Sequence, residues 1–355
     1  MNGSGFSRRD LLIGSSAFGV SAAFSTGVVS AAPPASMTTP ELIAAAKKEG
    51  KVVWYTSIDL KVAEEIAKRF EAKYSGVDVQ VERTGAERVL QRITQEYGSN
   101  IHAVDVVNSS DASHLVLWKN KGMLAPYVPE DVAKHYPEEH KDPDGMFASF
   151  RVFLCVIAYN TTLVKKDEAP KSFADLLKPE WKGKIVKAHP GYSGTIMTAT
   201  FQVARDLGWG YFEKLAQQNV LQVQSASVPP KKLALGERAV QADGVEYLIL
   251  REKESGKPVE PVYATEGTPL IIGPNGIFKA APNPNAARLF QNYCFSPECQ
   301  QININKGGLR SAHELVKEKP GRKPLSEIKL MKDDAAGVLR DAEKIKAHYT
   351  KLFHV

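Results

Sequence analysis

The chain has 355 residues, and its positive charge is mild: 46 Lys and Arg against 40 Asp and Glu give a formal net charge of +6. The excess is spread along the chain without a basic block, which argues against nucleic-acid binding. With 43% hydrophobic and 24% charged residues the composition is that of a globular protein, and the length is too great for one ordinary core, so two lobes are expected.

The first 31 residues have the layout of an export signal. Arg8 and Arg9 precede an uncharged stretch rich in Ala, Ser, Gly and Val that ends in small residues. We predict that residues 1–31 are a twin-arginine-type signal peptide, which is removed, and that the mature protein is periplasmic. A membrane anchor is the alternative, and the Ser and Gly content of the stretch argues against it.

The next eighty residues alternate between helical and strand patterns. A helix is predicted from Thr39-Pro40 to Gly50, and strands at 51–55, 77–81 and 103–107 each precede a helical pattern. This order predicts an α/β sheet that is largely parallel, with ligands bound beyond the carboxyl ends of its strands. The turns at those ends supply the candidate contacts Thr56, Ser57, Thr84, Ser109, Ser110 and Asp111.

A second α/β series follows an apolar strand predicted at 150–159. Further strands are predicted at 185–188, 239–242, 259–263 and 270–273, and the last eighty residues are predicted to be mostly helical. Before the helix near residue 196, the small residues of 191–195 offer hydroxyls and free amides that suit an anion, although an ordinary helix cap would have the same sequence.

The three cysteines carry separate predictions. Cys155 lies in an apolar run and is predicted to be a buried free thiol. Cys294 and Cys299 flank a Ser-Pro step and either form a small-loop disulfide or stay unpaired, since their spacing does not fix their geometry.

Several short stretches, in this order and spacing, resemble the periplasmic solute-binding proteins of ABC importers. Two of them read Val53-Trp54-Tyr55-Thr56-Ser57 and Pro179-Glu180-Trp181-Lys182-Gly183-Lys184. The others are 172–177, 235–237, 266–269, 281–287 and 295–301. Within that group the chain is most similar to the ferric-iron-binding type (extracellular solute-binding family 1), a branch that also contains binders of phosphorylated or organic anions.

The resemblance implies a type II periplasmic-binding-protein fold, in which two lobes, each a mixed sheet flanked by helices, are joined by crossing hinge strands. Lobe 1 would comprise 32–153 and 268–310, lobe 2 would comprise 154–267, and C-terminal helices in 311–355 would pack on lobe 2. Such a protein captures a small ligand between closing lobes, here ferric iron or a small organic or phosphorylated anion, and delivers it to an inner-membrane ABC permease. It would be a monomer without enzymatic activity or cofactor.

The resemblance also assigns ligand contacts to the second lobe, namely Tyr192, Ser193, Gly194 and Thr195. In the iron binders a tyrosine pair supplies two phenolate ligands; Tyr247 matches the second tyrosine, and Glu246 stands in place of the first. With Asp59 these two residues could hold Fe³⁺, a hard cation that prefers oxygen. They could equally contact an organic ligand, or be acids that cap helices.

An exported hydrolase using Ser193, or another exported enzyme, is the competing function. Residues 191–195 resemble a nucleophile elbow in part, but Thr195 stands where the second glycine belongs. The sequence has no dinucleotide-binding glycine motif, phosphate loop or His-Glu-x-x-His zinc motif, so a binding protein is favoured.

Overall fold

The computed structural model describes residues 32–355, in which helices pack against a mixed sheet of eleven strands. The predicted signal peptide lies outside the described residues. The strands are β1 (Lys51–Thr56), β2 (Asp78–Arg83), β3 (Val106–Asn108), β4 (Leu124–Ala125), β5 (Phe147–Asn160), β6 (Ile185–Ala188), β7 (Leu221–Val223), β8 (Val240–Val245), β9 (Val259–Val262), β10 (Thr268–Phe278) and β11 (Leu330–Met331).

The helices connect these strands in the alternating order that the sequence predicts for most of the chain. They are α1 (Pro40–Glu49), α2 (Leu60–Lys73), α3 (Ala86–Gly98), α4 (Ala112–Asn120), α5 (Glu130–His135), α6 (Gly194–Leu207), α7 (Trp209–Ala216), α8 (Val228–Ala234), α9 (Glu246–Glu254), α10 (Pro284–Phe295), α11 (Pro297–Asn305) and α12 (Ala335–Phe353). Short 3-10 turns lie at Glu138–His140, Ala174–Leu177, Pro179–Trp181, Pro190–Tyr192 and Leu325–Glu327.

The sheet has two halves that meet at β5. Its order is β2-β1-β3-β10-β5-β8-β6-β7. In the first half β1 runs parallel to β2 and β3, and in the second half β6 runs parallel to β7 and β8. β5 is antiparallel to both of its neighbours: it pairs with β10 up to Leu154 and with β8 from Cys155 onward. The predicted mixed α/β architecture is therefore confirmed.

Each half of the sheet has its own hydrophobic core. The first is built around Trp54 and Phe290, whose rings meet edge to face with centroids 5.2 Å apart. The second is built around Phe173, Phe212 and Tyr349. Separate cores agree with a chain of two lobes, while the exact lobe boundaries near residues 153 and 268 stay a prediction.

Local signals explain where several elements begin and end. Thr39 caps α1 by accepting a hydrogen bond from the Leu42 amide at 3.2 Å, and Gly50 ends the helix with a left-handed φ of 75°. β3 is shorter than predicted and begins only at Val106, because the Asp105 carboxylate already accepts hydrogen bonds from Val53 and Asn283.

The C-terminal region is less helical than the sequence predicts. Between α11 and α12 the chain from 306 to 334 is mostly irregular and holds only one short 3-10 turn and β11. The segment contains adjacent glycines, Gly307 and Gly308, and two prolines that disfavour a continuous helix. α12 then packs against α6 and α7, which follow a strand of the second half of the sheet. It also packs against α4, which follows a strand of the first half.

All three cysteines are buried free thiols in the structure. The prediction for Cys155 is confirmed, and of the two alternatives for Cys294 and Cys299 the structure has the unpaired thiols. Among residues 32–355, no helix combines the length and the apolar character needed to cross a membrane.

Candidate functional site

A cavity of about 900 Å³ opens between residues contributed by both halves of the sheet. Of the residues predicted from the sequence, those that line it are Ser57, Asp59, Ser110, Tyr192, Ser193, Gly194, Thr195 and Tyr247. Most of them lie directly after a strand or at the start of a helix. The cavity therefore occupies the position where ligands bind in open α/β sheets.

The N-terminus of α6 forms the wall from the second half. Ser193 caps this helix by accepting the Ile196 amide at 3.4 Å, while the first amides, those of Gly194 and Thr195, have no acceptor within the helix. Thr195 is only 6% exposed and lines the cavity. These donors and the helix dipole favour a bound anion.

Gly194 lets this helix end approach the first half closely. A Cβ at this position would lie 2.7 Å from the Cβ of Asp111 and 3.3 Å from the Cβ of Ala86. Any larger residue would separate α6 from the starts of α3 and α4. The glycine therefore holds three helix N-termini around one end of the cavity.

Arg151, which the sequence reasoning missed, is the most unusual residue of the cavity wall. It lies on β5, its side chain is 1% exposed, and its Nη2 donates to the Ser57 hydroxyl at 2.9 Å. Its Nε has no hydrogen-bond partner, and no carboxylate contacts the guanidinium within residues 32–355. Burial lowers the pKa of Arg151 to about 10, with nearby Tyr247 opposing that shift and Arg83 adding to it.

The sequence offered one signal for Arg151. It is the single charged residue in the otherwise apolar or small run from Phe147 to Asn160. Burying a charge without a partner costs several kcal/mol, on the order of a whole domain's marginal stability, so a lone arginine in a buried strand indicates a functional role.

Other cationic side chains add to the positive charge of the cavity. They outnumber the carboxylates that line it, which are Asp59, Glu65 and Glu252. The Asp59 carboxylate at the start of α2 is moreover paired with Arg251 of α9 at 3.1 Å. The remaining cations, all missed by the sequence reasoning, are Lys61, Arg83, Lys231 and Lys306.

Aromatic rings supply the apolar part of the wall. Phe153 and Tyr247 meet edge to face with ring centroids 6.1 Å apart, and Tyr192 is 55% exposed. Burial raises the pKa of Tyr247, and the positive charge of Arg151 opposes that rise. Tyr247 is therefore a neutral phenol at neutral pH, able to donate a hydrogen bond.

The other predicted contacts do not line the cavity. Thr56 hydrogen-bonds with Asn108 and accepts the Ile58 amide, and Ser109 accepts the amide of Asp111 at 3.1 Å. Asp111 in turn caps α4 by accepting the Ser113 amide, so these side chains shape turns. Thr84 is likewise absent from the wall, as are Thr56, Ser109 and Asp111.

Glu246 is a correction to the predicted metal set. Its carboxylate is fully buried outside the cavity and accepts hydrogen bonds from Arg310 at 2.7 and 3.0 Å, from Arg322 at 3.1 Å and from the Tyr263 hydroxyl at 2.6 Å. Burial alone would raise the pKa of Glu246, but these partners outweigh it and lower the pKa. Asp59, Glu246 and Tyr247 therefore do not converge on one point of the cavity.

The geometry gives no support to Ser193 as a nucleophile. Its hydroxyl oxygen is occupied as the cap of α6, and His189 Nδ1 accepts the Gly191 amide at 2.9 Å. Burial, followed by the charge of Lys187, lowers the pKa of His189 to about 4. Within the described residues no hydrogen bond joins a histidine to Ser193.

Comparison with known proteins agrees with this geometry. Residues 103–326 match the family model of bacterial extracellular solute-binding proteins. A probable ABC transporter periplasmic-binding protein of Sinorhizobium fredii is 23% identical over 247 residues, which are 67% of this chain and 68% of that protein. Iron uptake protein A1 of Synechocystis is 26% identical over 268 residues, 69% and 71% of the two chains.

A solved structure extends the similarity to the fold. The periplasmic binding protein AfuA of Actinobacillus pleuropneumoniae, with exogenous fructose 6-phosphate bound, superposes with a TM-score of 0.78 at 27% identity. The match covers 86% of this chain and 99% of AfuA. The chain thus belongs to the family of bacterial extracellular solute-binding proteins and has their two-lobed, type II fold, as its sequence predicts.

Proposed function

We propose that this chain is the periplasmic substrate-binding component of an ABC importer whose ligand is a small organic anion carrying a phosphate or carboxylate group. The ligand would lie between the two lobes and would be passed to an inner-membrane permease. The observation that carries the choice of an anion is Arg151, a buried guanidinium at the cavity wall whose charge no carboxylate within residues 32–355 balances.

The energetics of Arg151 favour a ligand that supplies the missing negative charge. A buried charge without a partner destabilises the folded protein, whereas a charge-assisted hydrogen bond to a phosphate or carboxylate is among the strong ones. Ser110, Thr195 and the first amides of α6 add neutral donors to the same cavity. An anion held by the guanidinium and by the helix N-terminus would supply the missing partner of both.

The size and lining of the cavity favour an organic anion over inorganic phosphate. About 900 Å³ is within the range of small-molecule sites, and three aromatic rings line it beside the cations. The similarity to AfuA, whose structure contains fructose 6-phosphate, supports a phosphorylated sugar as the first compound to test.

Ferric iron is the weaker candidate. A relative is called an iron uptake protein, yet the cavity has more cations than carboxylates, and its Asp59 is already paired with Arg251. Fe³⁺ prefers several anionic oxygen ligands, so it would need an accompanying anion here.

The proposal includes the export route and assembly. Residues 1–31 would act as a twin-arginine signal that is removed, and residues 32–355 would function as a periplasmic monomer without catalytic activity or cofactor. Lobe 1 would comprise residues 32–153 and 268–310, and lobe 2 would comprise residues 154–267.

The test combines ligand identification with one substitution. Native mass spectrometry of the mature protein purified from its periplasm should show the mass of a small organic anion. Arg151→Met should weaken fructose 6-phosphate binding, measured by calorimetry, by about 100-fold, since losing one partner of a buried charged pair costs about 2–5 kcal/mol.

The matched control is Arg340→Met, which removes an exposed arginine on α12 that pairs with its neighbour Asp341. It should leave binding unchanged. A mass gain of one iron atom, with ferric citrate binding unaffected by Arg151→Met, would overturn the organic-anion proposal.

A further inference from the structure

A buried cluster of two carboxylates and one histidine lies directly behind the anion-binding wall. In this cluster, which we call the His114 cluster, His114 Nε2 lies 3.3 Å from Glu87 Oε1 and 3.9 Å from Asp111 Oδ2. All three residues are less than 10% exposed, and their ligand-capable atoms lie within 4.8 Å of one another. None of the three lines the cavity, so the binding function leaves the cluster unexplained.

The cluster is adjacent to the part of the wall that offers neutral donors. Asp111 follows Ser110, which lines the cavity, and its Cβ is the atom closest to a Cβ built on Gly194. Glu87 follows Ala86, which lines the cavity as well. An anion bound at the start of α6 would therefore be close to the buried charges of Glu87 and Asp111.

Further charged groups surround His114 and its two carboxylate partners. Lys346 of α12 lies 3.4 Å from Glu87 Oε2 and is itself bonded to Glu343. Asp333, in the segment before α12, interacts electrostatically with Asp111, and Asp334 and Arg205 of α6 lie beside Asp333. The Trp118 ring covers another side of the imidazole at 6.0 Å.

The environment of His114 favours its protonated form. Burial alone would lower the pKa of His114, but the neighbouring charges of Asp111 and Glu87 outweigh burial and raise it. Ser109 Oγ lies 3.0 Å from Nδ1, so both ring nitrogens of an imidazolium have an oxygen partner. Burial, and then the charge of Asp111, raises the pKa of Asp333 to about 7.

We propose that capture of the anion is coupled to uptake of a proton by the His114 cluster, which makes His114 a residue that tunes affinity for dianionic ligands. This inference rests on the proposed function, because it needs an anion in the cavity. Negative charge brought close to buried carboxylates is repelled, and one added proton offsets part of that repulsion. By linkage, if the bound anion raises the pKa values of the cluster, the anion binds more tightly as the pH falls through those pKa values.

The test is calorimetry of fructose 6-phosphate binding at pH 8 in two buffers, Tris and HEPES, that differ in ionisation enthalpy. The second pKa of a phosphate monoester is about 6, so at pH 8 the ligand is dianionic and any proton taken up goes to the protein. We expect the wild type to take up a measurable fraction of a proton, with affinity rising as the pH is lowered from 8 towards 7. His114→Gln should take up none and lose this pH dependence.

Two further variants separate this effect from simple damage. His135→Gln removes another histidine that is paired with a carboxylate, Glu314 at 2.7 Å, and that does not line the cavity; its proton uptake should equal that of the wild type. Glu87→Gln keeps the imidazole of His114 and the shape of the Glu87 side chain. It replaces His114→Gln as the test variant if His114→Gln lowers the melting temperature of the ligand-free protein. It should reduce proton uptake without abolishing binding.

Equal binding enthalpies in both buffers for a wild type that binds fructose 6-phosphate would overturn the coupling and leave the proposed function intact. If the wild type binds no organic phosphate, the proposed function fails first and the coupling with it. Tight Zn²⁺ binding by the wild type that His114→Gln abolishes would assign the cluster to a metal and would also overturn the coupling.

Discussion

The two buried arginines Arg151 and Arg310 differ in whether neighbouring carboxylates balance their charge. Both guanidinium groups are buried, at 1% and 0% exposure. Arg310 pairs with Glu246 and Glu318 and also donates to the Lys323 carbonyl, so its charge is balanced and its pKa is raised: burial opposes the rise, but Glu246 outweighs it. In the part of the chain that the structure describes, Arg151 has the Ser57 hydroxyl as its one hydrogen-bond partner, and burial lowers its pKa.

The difference separates a structural charge from a functional one. The Arg310 network ties the irregular segment after α11 to the start of α9, where no ligand is needed to complete it. The Arg151 site remains electrostatically incomplete at the edge of a cavity. Removing Arg310 should therefore damage folding, and disturbing Arg151 should damage binding.

The largest expected effect comes from Arg310→Met. It leaves Glu246 buried with only Arg322 and the Tyr263 hydroxyl, and removing one partner of a buried pair costs about 3–5 kcal/mol of unfolding free energy. Denaturant unfolding of the variant measures this loss. Arg340→Met, an exposed arginine, is the matched control, and equal stability of the two variants would show that the Arg310 network contributes little.

A moderate effect is expected from Gly273→Ala on β10. An added Cβ would lie 2.8 Å from both Cγ and Nε of Arg151 and 3.2 Å from the Ser109 carbonyl oxygen, so the arginine must shift. We expect fructose 6-phosphate affinity to fall about tenfold, with a cost to folding of about 1–3 kcal/mol from overpacking.

The control for Gly273→Ala is Gly210→Ala in α7, where a Cβ has nothing within 4 Å. It should keep full affinity and gain about 0.5–1 kcal/mol of stability. Unchanged binding in Gly273→Ala would mean that the position of Arg151 does not matter to the ligand.

The smallest effect is expected from Glu318→Gln. This carboxylate bonds Arg310 at 2.9 Å, but its side chain is 37% exposed, so solvent screens the pair to about 0.2–1 kcal/mol. Glu298→Gln, which breaks an exposed pair with Lys73, should cost a similar amount in the same denaturant unfolding. A loss as large as that of Arg310→Met would show that Glu318, rather than Glu246, balances the buried arginine.

The sequence predicted the fold better than the site. Helix caps, apolar periodicity and Pro–Gly boundaries are local signals, and they predicted the order of α1 through α4 and the positions of β1 and β2 closely. The turns at the carboxyl ends of the strands were predicted from the sheet topology to line a ligand cleft, and Ser57, Ser110 and Thr195 do line the cavity.

The rest of the site depends on partners distant in sequence. Glu246 reads as a candidate ligand beside Tyr247, but Arg310 reaches it from 64 positions away and neutralises it. Arg151 reads as one charge in an apolar strand, and the absence of a nearby carboxylate among residues 32–355 becomes visible only in the structure. Neither fact is visible in a local pattern.

The shared strand β5 has a mechanical consequence. It pairs with strands of both halves, and Arg151 lies on it three residues before the pairing changes at Leu154, so an anion held there sits close to the pivot of any rotation between the halves. Side chains carried by one half alone, such as Lys231 on α8, would move with that half. Two ligands with the same anionic group but different bodies should therefore anchor equally well and yet differ in how far they draw the halves together.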